Sequence, residues 1–256
     1  MDSLLHNAPN DLARARLLAV STRESGAWLN ALPISSLGLR MDDNTIRVAV
    51  GLRLGSSLCS PHTCQHCEAE VDQLGIHGLS CKKSVGRHYR HSAINDILHR
   101  ALSSAKVPSR LEPTSLTRSD GKRPDGVTLI PWKNGKLLVW DATCPDTLAQ
   151  SYRMNATSGV GAVAAMAEER KLKKYHSMSS HHIIMPVVFE TLGAVGPRSL
   201  QFLKDLSNRI RKTTGEVKAH QYLLVHSYLL LSRGGMHAAS VLGSVGELVI
   251  LQSLQV

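Results

Sequence analysis

The 256-residue sequence predicts a mixed α/β domain that carries a small metal-clasping loop. Three observations lead there. Two apolar, β-branched runs, 123–130 and 136–143, flank Asn134-Gly135, the dipeptide best suited to the left-handed positions of a tight hairpin turn. Runs with helical spacing lie on either side, at 87–103 and 157–178, and an apolar stretch at 183–189 follows. The resulting order of helix, strand, strand, helix, strand is that of a sheet flanked by helices. The third observation is Cys64-x2-Cys67-x9-His77-x3-Cys81, two close ligand pairs at the spacing of a closed tetrahedral zinc site.

The elements follow in chain order. Residues 10–30 alternate apolar and basic positions at roughly helical spacing, with Leu12, Ala15 and Leu18 on one side and Arg14 and Arg16 opposite. Pro33 ends that pattern. Met41-Asp42-Asp43 reads as a turn, because no companion acidic strand precedes it. Residues 45–58 read as a short helix leading into the cysteines. Gly75 and Gly78 flank His77 and let the backbone turn there. Cys59, His62 and His66 lie nearby, and His66 or Cys59 is the alternative ligand if one of the four is misassigned. The helix at 87–103 places Ile94, Ile97, Leu98 and Leu102 on its apolar stripe, with Arg87, Arg90, His91 and Arg100 elsewhere. The Gly-rich start of 157–178 moves the next helix toward Ala162. Its end puts Lys171, Lys174 and Tyr175 on one face by the three-and-four rule. Two further helices are expected near 197–212 and 216–232, and the last twenty residues are not assigned. The chain is expected to divide into a helical linker region 1–58, the cysteine–histidine knuckle 59–84, a mixed α/β domain 85–215 and a C-terminal helical extension 216–256.

The hairpin carries the chemistry. Asp125 opens the first strand and Asp141 closes the second, so the turn brings two carboxylates to one point. A hard divalent cation such as Mg²⁺ needs that arrangement. The plainer reading is a turn residue at Asp125 and a loop cap at Asp141. A lysine near the attacking water would complete a nuclease. Thr143 holds the position two residues after the second acid, so Lys171 or Lys174 must reach in from the helix.

Composition narrows the function. The net charge is +10 and the pI about 9.6, which favours a polyanionic partner, nucleic acid (DNA, with RNA as a further candidate) first and an anionic membrane second. Residues 81–123 hold ten Lys and Arg against three Asp and Glu. Arg87, Arg90, His91, Arg100, Arg118, Lys122 and Arg123 are therefore the expected phosphate contacts, and binding should weaken steeply with salt. No apolar run reaches the roughly 18 residues of a transmembrane helix, and neither a membrane nor a small-molecule substrate is expected. The N-terminus lacks the basic start and apolar core of a secretory signal. Five cysteines, three of them in one short window, fit a reducing compartment, nuclear or cytoplasmic.

Taken together these residues resemble the C-terminal part of site-specific non-LTR retrotransposon proteins that carry a restriction-like endonuclease. The pattern is a Cys-Cys-His-Cys knuckle, an Arg-His helix, Pro-Asp, a second Asp, and a Lys-x-x-Lys-Tyr helix. Here it is Cys64, Cys67, His77 and Cys81, then Arg90-His91, Arg123-Pro124-Asp125, Asp141, and Lys171 to Lys174-Tyr175. The likeness spans about residues 60–190, with a longer gap before the knuckle histidine and a shorter one after it. It implies a PD-(D/E)XK-type core that nicks target DNA, with Asp125, Asp141, Lys171, Lys174 and Tyr175 as the catalytic set, Mg²⁺ on the acids and a structural Zn²⁺ in the knuckle. No polymerase motif precedes the knuckle, so the chain is expected to be a fragment or stand-alone remnant of such a protein. A non-catalytic nucleic-acid-binding remnant stays open as the alternative. A zinc domain serving protein contacts fits the charge poorly.

Overall fold

The computed structural model describes residues 2–118 and 120–236. Helices α1 (Asp2–His6), α2 (Asp11–Val20) and α3 (Asp43–Leu54) precede a two-stranded ribbon, β1 (His62–Thr63) and β2 (Glu70–Val71), and the one-turn α4 (His77–Ser80). The long α5 (Val85–Ser104) follows, then β3 (Ser109–Leu111), β4 (Gly126–Thr128) and β5 (Leu137–Thr143). Short α6 (Arg153–Ala156) leads to α7 (Ala162–Lys174), β6 (His182–Val188), α8 (Pro197–Thr214) and α9 (Ala219–Met236). Among the described residues the main sheet runs β3-β4-β5-β6, antiparallel except for the parallel β5–β6 pair. The chain is thus mixed α/β, as expected. The strand at 109–111 is an addition that three residues are too few to announce in the sequence.

The hairpin forms through the predicted turn. Asn134 and Gly135 both take left-handed backbone, φ 51° and 71°, and Lys136 N donates to Lys133 O across it. Alternation along β5 then sorts its side chains between two faces. Leu138, Trp140 and Ala142 enter the main core with Ile94, Ile97, Leu98 and Leu102 of α5 and Phe202, Leu203 and Leu206 of α8. Each fully buried large side chain there contributes about 1.5–3 kcal/mol. Trp140 is 0% exposed, and its indole N–H donates to Asn95 Oδ1 at 3.0 Å. The Trp140 ring leaves no space for a Cβ at position 126, which explains the glycine after Asp125. Ala164 and Ala167 of α7 pack with Val188 in a separate small cluster, and Lys171 and Lys174 of this helix reach Asp141.

The N-terminal helices are joined to this body by apolar packing. Ala15, Val48, Leu52 and Leu58 share one cluster with Cys64, Val71 and Cys81 of the cysteine–histidine loop and with Leu148, Val163 and Leu192, which follow β5 in the chain. Trp28 stacks on Tyr228 of α9 with ring centroids 5.1 Å apart. Two readings of this region change. Asp42 is the N-cap of α3, accepting from Thr45 N at 2.9 Å, rather than a free turn residue. Arg16 is buried at 8% exposure rather than facing water, and burial lowers its pKa. The predicted helices at 197–212 and 216–232 correspond to α8 and α9, and the last twenty residues lie outside the described ones. No helix among the described residues is long and apolar enough to cross a membrane.

Candidate active site and candidate metal centre

The knuckle is assembled by a ribbon and a single helical turn. Cys64 N donates to Ala69 O and Glu68 N to Cys64 O, so the chain between the ribbon strands loops back and presents Cys64 and Cys67 together. His77 opens α4 and Cys81 caps it. The four ligand atoms lie within 4.8 Å of one another. Cys64 and Cys81 sulfurs are 4.0 Å apart, Cys81 and Cys67 sulfurs 3.6 Å, and Cys67 Sγ is 3.2 Å from His77 Nε2. Tetrahedral zinc with Zn–S bonds near 2.3 Å sets its sulfurs about 3.8 Å apart, so the cluster can hold a zinc-like ion. Burial pushes the Cys64 thiol up, but N–H groups of His66 and Cys67 and the His77 ring bring it down to about 6, toward the thiolate that a metal requires. Cys59 stands outside the cluster, with its thiol against Asp72 O at 3.3 Å, and His62 Nδ1 meets Ser60 O at 2.8 Å.

The acids meet as the hairpin register requires. Gly126 pairs with Trp140, so Asp125 and Asp141 stand opposite each other and project to the same side. Opposed residues of an antiparallel pair have Cβ atoms about 4.5–5.5 Å apart. Asp125 N donates to Trp140 O at 3.0 Å, and its carboxylate Oδ2 accepts from Ala142 N at 2.6 Å. The side chain thereby takes over an acceptor role at the end of the β4–β5 ladder, which fixes it. Asp125 Oδ2 also meets His91 Nε2 at 3.0 Å, and Oδ1 accepts no hydrogen bond among the described residues. Asp141 is 4% exposed and is matched at both oxygens. Lys171 Nζ donates to Oδ1, and Lys174 Nζ donates to Oδ2 at 3.0 Å. Lys171 also lies 3.5 Å from Ala142 O.

The electrostatics follow from these contacts. Burial acts to raise the Asp125 pKa, but the His91 hydrogen bond and charge, the Ala142 amide and Lys171 hold it below the ordinary carboxylate value. The Asp125 hydrogen bond raises His91 in turn, against its partial burial. Burial and the two aspartate charges push the Tyr175 phenol up.

Other expected site residues divide by location. Tyr175 is 0% exposed, and its hydroxyl donates to Arg123 O at 3.1 Å. Its ring lies 4.5 Å from Lys174 Nζ and 5.6 Å from the Arg118 guanidinium, so it supports the lysine rather than facing a substrate. Arg118 donates to Lys174 O and pairs with Asp120 at 3.4 Å. Arg87 and Lys122 are exposed, and exposed Arg123 pairs with Glu112. Arg90 does not belong to the surface. It is 2% exposed and donates from Nη2 to Leu79 O at 2.6 Å, fastening α5 to the turn between His77 and Cys81. Arg100 is exposed but lies nine residues along α5 from His91, about 14 Å by helical rise, beside an apolar groove formed with Tyr222 of α9.

Sequence reasoning missed the His91–Asp125 contact, though the Arg-His pair was singled out. It also missed Glu168, on α7, and Glu190, at the start of that helix, both buried at 1% exposure. A charged residue at an apolar-face position of α7 was the only available signal for Glu168. No protein-family model matches this chain, and no curated protein matches it.

Proposed function

We propose that the chain is a Mg²⁺-dependent DNA endonuclease with a PD-(D/E)XK-type core, a knuckle that binds zinc structurally, and a likeness to retrotransposon nucleases. The observation that carries this reading is the placement of Asp125 and Asp141 on opposed strand positions, with two helix-borne lysines on the second acid. Thr143, at the end of β5, cannot supply that charge, and α7 does so instead. Asp125 and Asp141 would hold the metal, and the unengaged Oδ1 of Asp125 suits a hard cation. The ion would supply Lewis-acid polarisation of a phosphoryl oxygen and a more acidic water. Lys171 would orient that water and offset charge developing on the phosphate, while Lys174, held against the Tyr175 ring, donates to Asp141 Oδ2 and would fix the orientation of that carboxylate. Arg87, Lys122 and Arg123 bind the DNA backbone, with Arg118 bracing the loop that carries the latter two.

A non-catalytic nucleic-acid-binding protein is the second reading, favoured by one observation: both oxygens of Asp141 are already satisfied by lysines. Nicking of supercoiled plasmid with Mg²⁺, wild type against Asp125→Ala, decides between them. The nuclease reading expects nicking by the wild type, lost in the variant with DNA binding retained. Binding without nicking in the wild type supports the second reading.

A further inference from the structure

The lysines of α7 reach Asp141 only if the helix stands at one axial position, and we propose that Glu190 is the positioning residue that sets it. Its functional meaning rests on the nuclease reading, whereas its geometry does not. Helix α7 begins at Gly161 in left-handed backbone, with no side-chain cap of its own. The first amides of a helix lack intrahelical partners and need an acceptor from elsewhere. Glu190, in the segment after β6, supplies one: its Oε1 accepts from Ala164 N at 2.9 Å. Its other oxygen, Oε2, accepts from Thr147 Oγ1 at 2.7 Å. Thr147 lies six residues beyond Asp141, in the segment that leaves β5. One carboxylate thus ties the segment following the second acid to the helix that carries its lysines.

A second buried carboxylate secures the same helix further along. Glu168 sits three residues before Lys171 and accepts at Oε1 from Ser199 N at 2.8 Å and from Ser199 Oγ at 2.6 Å. Its Oε2 accepts from Arg198 N at 3.1 Å, so Glu168 caps α8. Ser199 Oγ also accepts from Val188 N at 2.8 Å, which brings β6 into the same network. Burying a carboxylate is costly unless it is hydrogen-bonded, and both of these are bonded at both oxygens. A slip of one residue along the α7 axis moves the lysines by about 1.5 Å, enough to part them from Asp141.

The test compares Glu190→Ala, Glu190→Gln and Thr147→Val in the full chain. It reads the reductive methylation rates of Lys171 and Lys174 by mass spectrometry, with exposed Lys133 as reference, and the kcat and KM of nicking. Glu190→Ala should speed methylation of both site lysines several-fold and lower kcat by about 10- to 100-fold, the scale of a misplacement near 1 Å, with KM little changed. Glu190→Gln keeps an acceptor for Ala164 N and should restore wild-type values. Thr147→Val removes half the bridge and should give an intermediate effect, which keeps the test decisive if the alanine variant does not fold. Unchanged lysine labelling in a folded Glu190→Ala chain, or in Thr147→Val where the alanine variant fails, overturns the positioning role. A wild type that does not nick sinks the nuclease reading instead, and the labelling comparison still decides whether Glu190 places the lysines.

Discussion

In the cysteine–histidine loop, the ligand atoms of three cysteines and an imidazole lie within 4.8 Å of one another. At the end of the β4–β5 ladder, each oxygen of Asp141 already meets an ammonium, and Asp125 meets an imidazole. The two centres therefore respond differently to metal. Four converging ligands with no other strong partner gain their main stabilisation from an ion. The acid cluster balances its own charge, so an ion there competes with lysine and histidine for carboxylate oxygens. Strong binding is expected at the first centre, and weak, readily exchanged binding at the second.

The sharpest way to break that comparison is to remove metal from each centre. Stripping zinc with a chelator, or replacing Cys64 and Cys67 by Ser, should lower stability by several kcal/mol, because structural zinc binding is coupled to folding. Magnesium removal should leave the melting temperature unchanged. Calorimetry with parallel metal analysis checks both, and a chain that purifies without zinc and melts unchanged contradicts the knuckle assignment.

Next in size is the contrast between the two acids. Asp141→Ala leaves two lysines without their shared carboxylate and should destabilise by about 1–3 kcal/mol, less than for a fully buried pair because both lysines are partly exposed. Asp125→Ala, with one partly exposed partner, should cost less. Both should abolish Mg²⁺-dependent nicking while DNA binding persists, since the basic contacts lie elsewhere. Urea melts alongside the nicking assay separate the two effects; equal destabilisation by both substitutions would contradict the asymmetry.

The lysines sharpen the picture further. Lys171 reaches both Asp141 Oδ1 and the Ala142 carbonyl, whereas Lys174 is braced by Tyr175. Lys171→Ala should therefore reduce kcat more than Lys174→Ala, by about 10-fold between them. Single-turnover nicking rates at saturating Mg²⁺ provide the comparison, and the reverse order would assign the catalytic charge to Lys174.

The smallest effect is the pH dependence of the His91–Asp125 pair. His91 is raised above its ordinary value of 6.5, so its contribution is complete below that pH and fades as pH rises through the raised value. Asp125 is lowered below 3.8, so its contribution is present above that pH and is lost as pH falls through the lowered value. Both are in place between these limits. The His91 side chain is 46% exposed, so solvent screening limits the pair to under about 1 kcal/mol. His91→Ala should cost most near about pH 5.5 and progressively less toward pH 9. Denaturation curves at the two pH values test this, and a constant difference would mean that the contact carries no charge.

Local spacing alone established several features. The Asn134-Gly135 turn imposed the hairpin register that opposes Asp125 and Asp141, because its two left-handed residues admit few alternatives. The Cys-x2-Cys and His-x3-Cys intervals brought each ligand pair within reach of one ion. Helical periodicity placed Lys171, Lys174 and Tyr175 on one side of α7. Tertiary packing decided what those side chains touch. Arg90 has the composition of a phosphate contact but lies inside, because the turn at Leu79 offers a carbonyl to the face of α5 that packs there. Tyr175 belongs to the lysine motif yet is sealed under Arg118 and Lys174. Glu168 and Glu190 read as ordinary acidic residues until the ends of α7 and α8 bring uncapped amides to them. Spacing reports only what one element does with its own backbone. Burial and hydrogen-bond partners depend on which distant segments fold against it, and in this chain those contacts join residues far apart in the sequence, as Tyr175 and Arg123 are at 52 positions and Arg118 and Lys174 at 56.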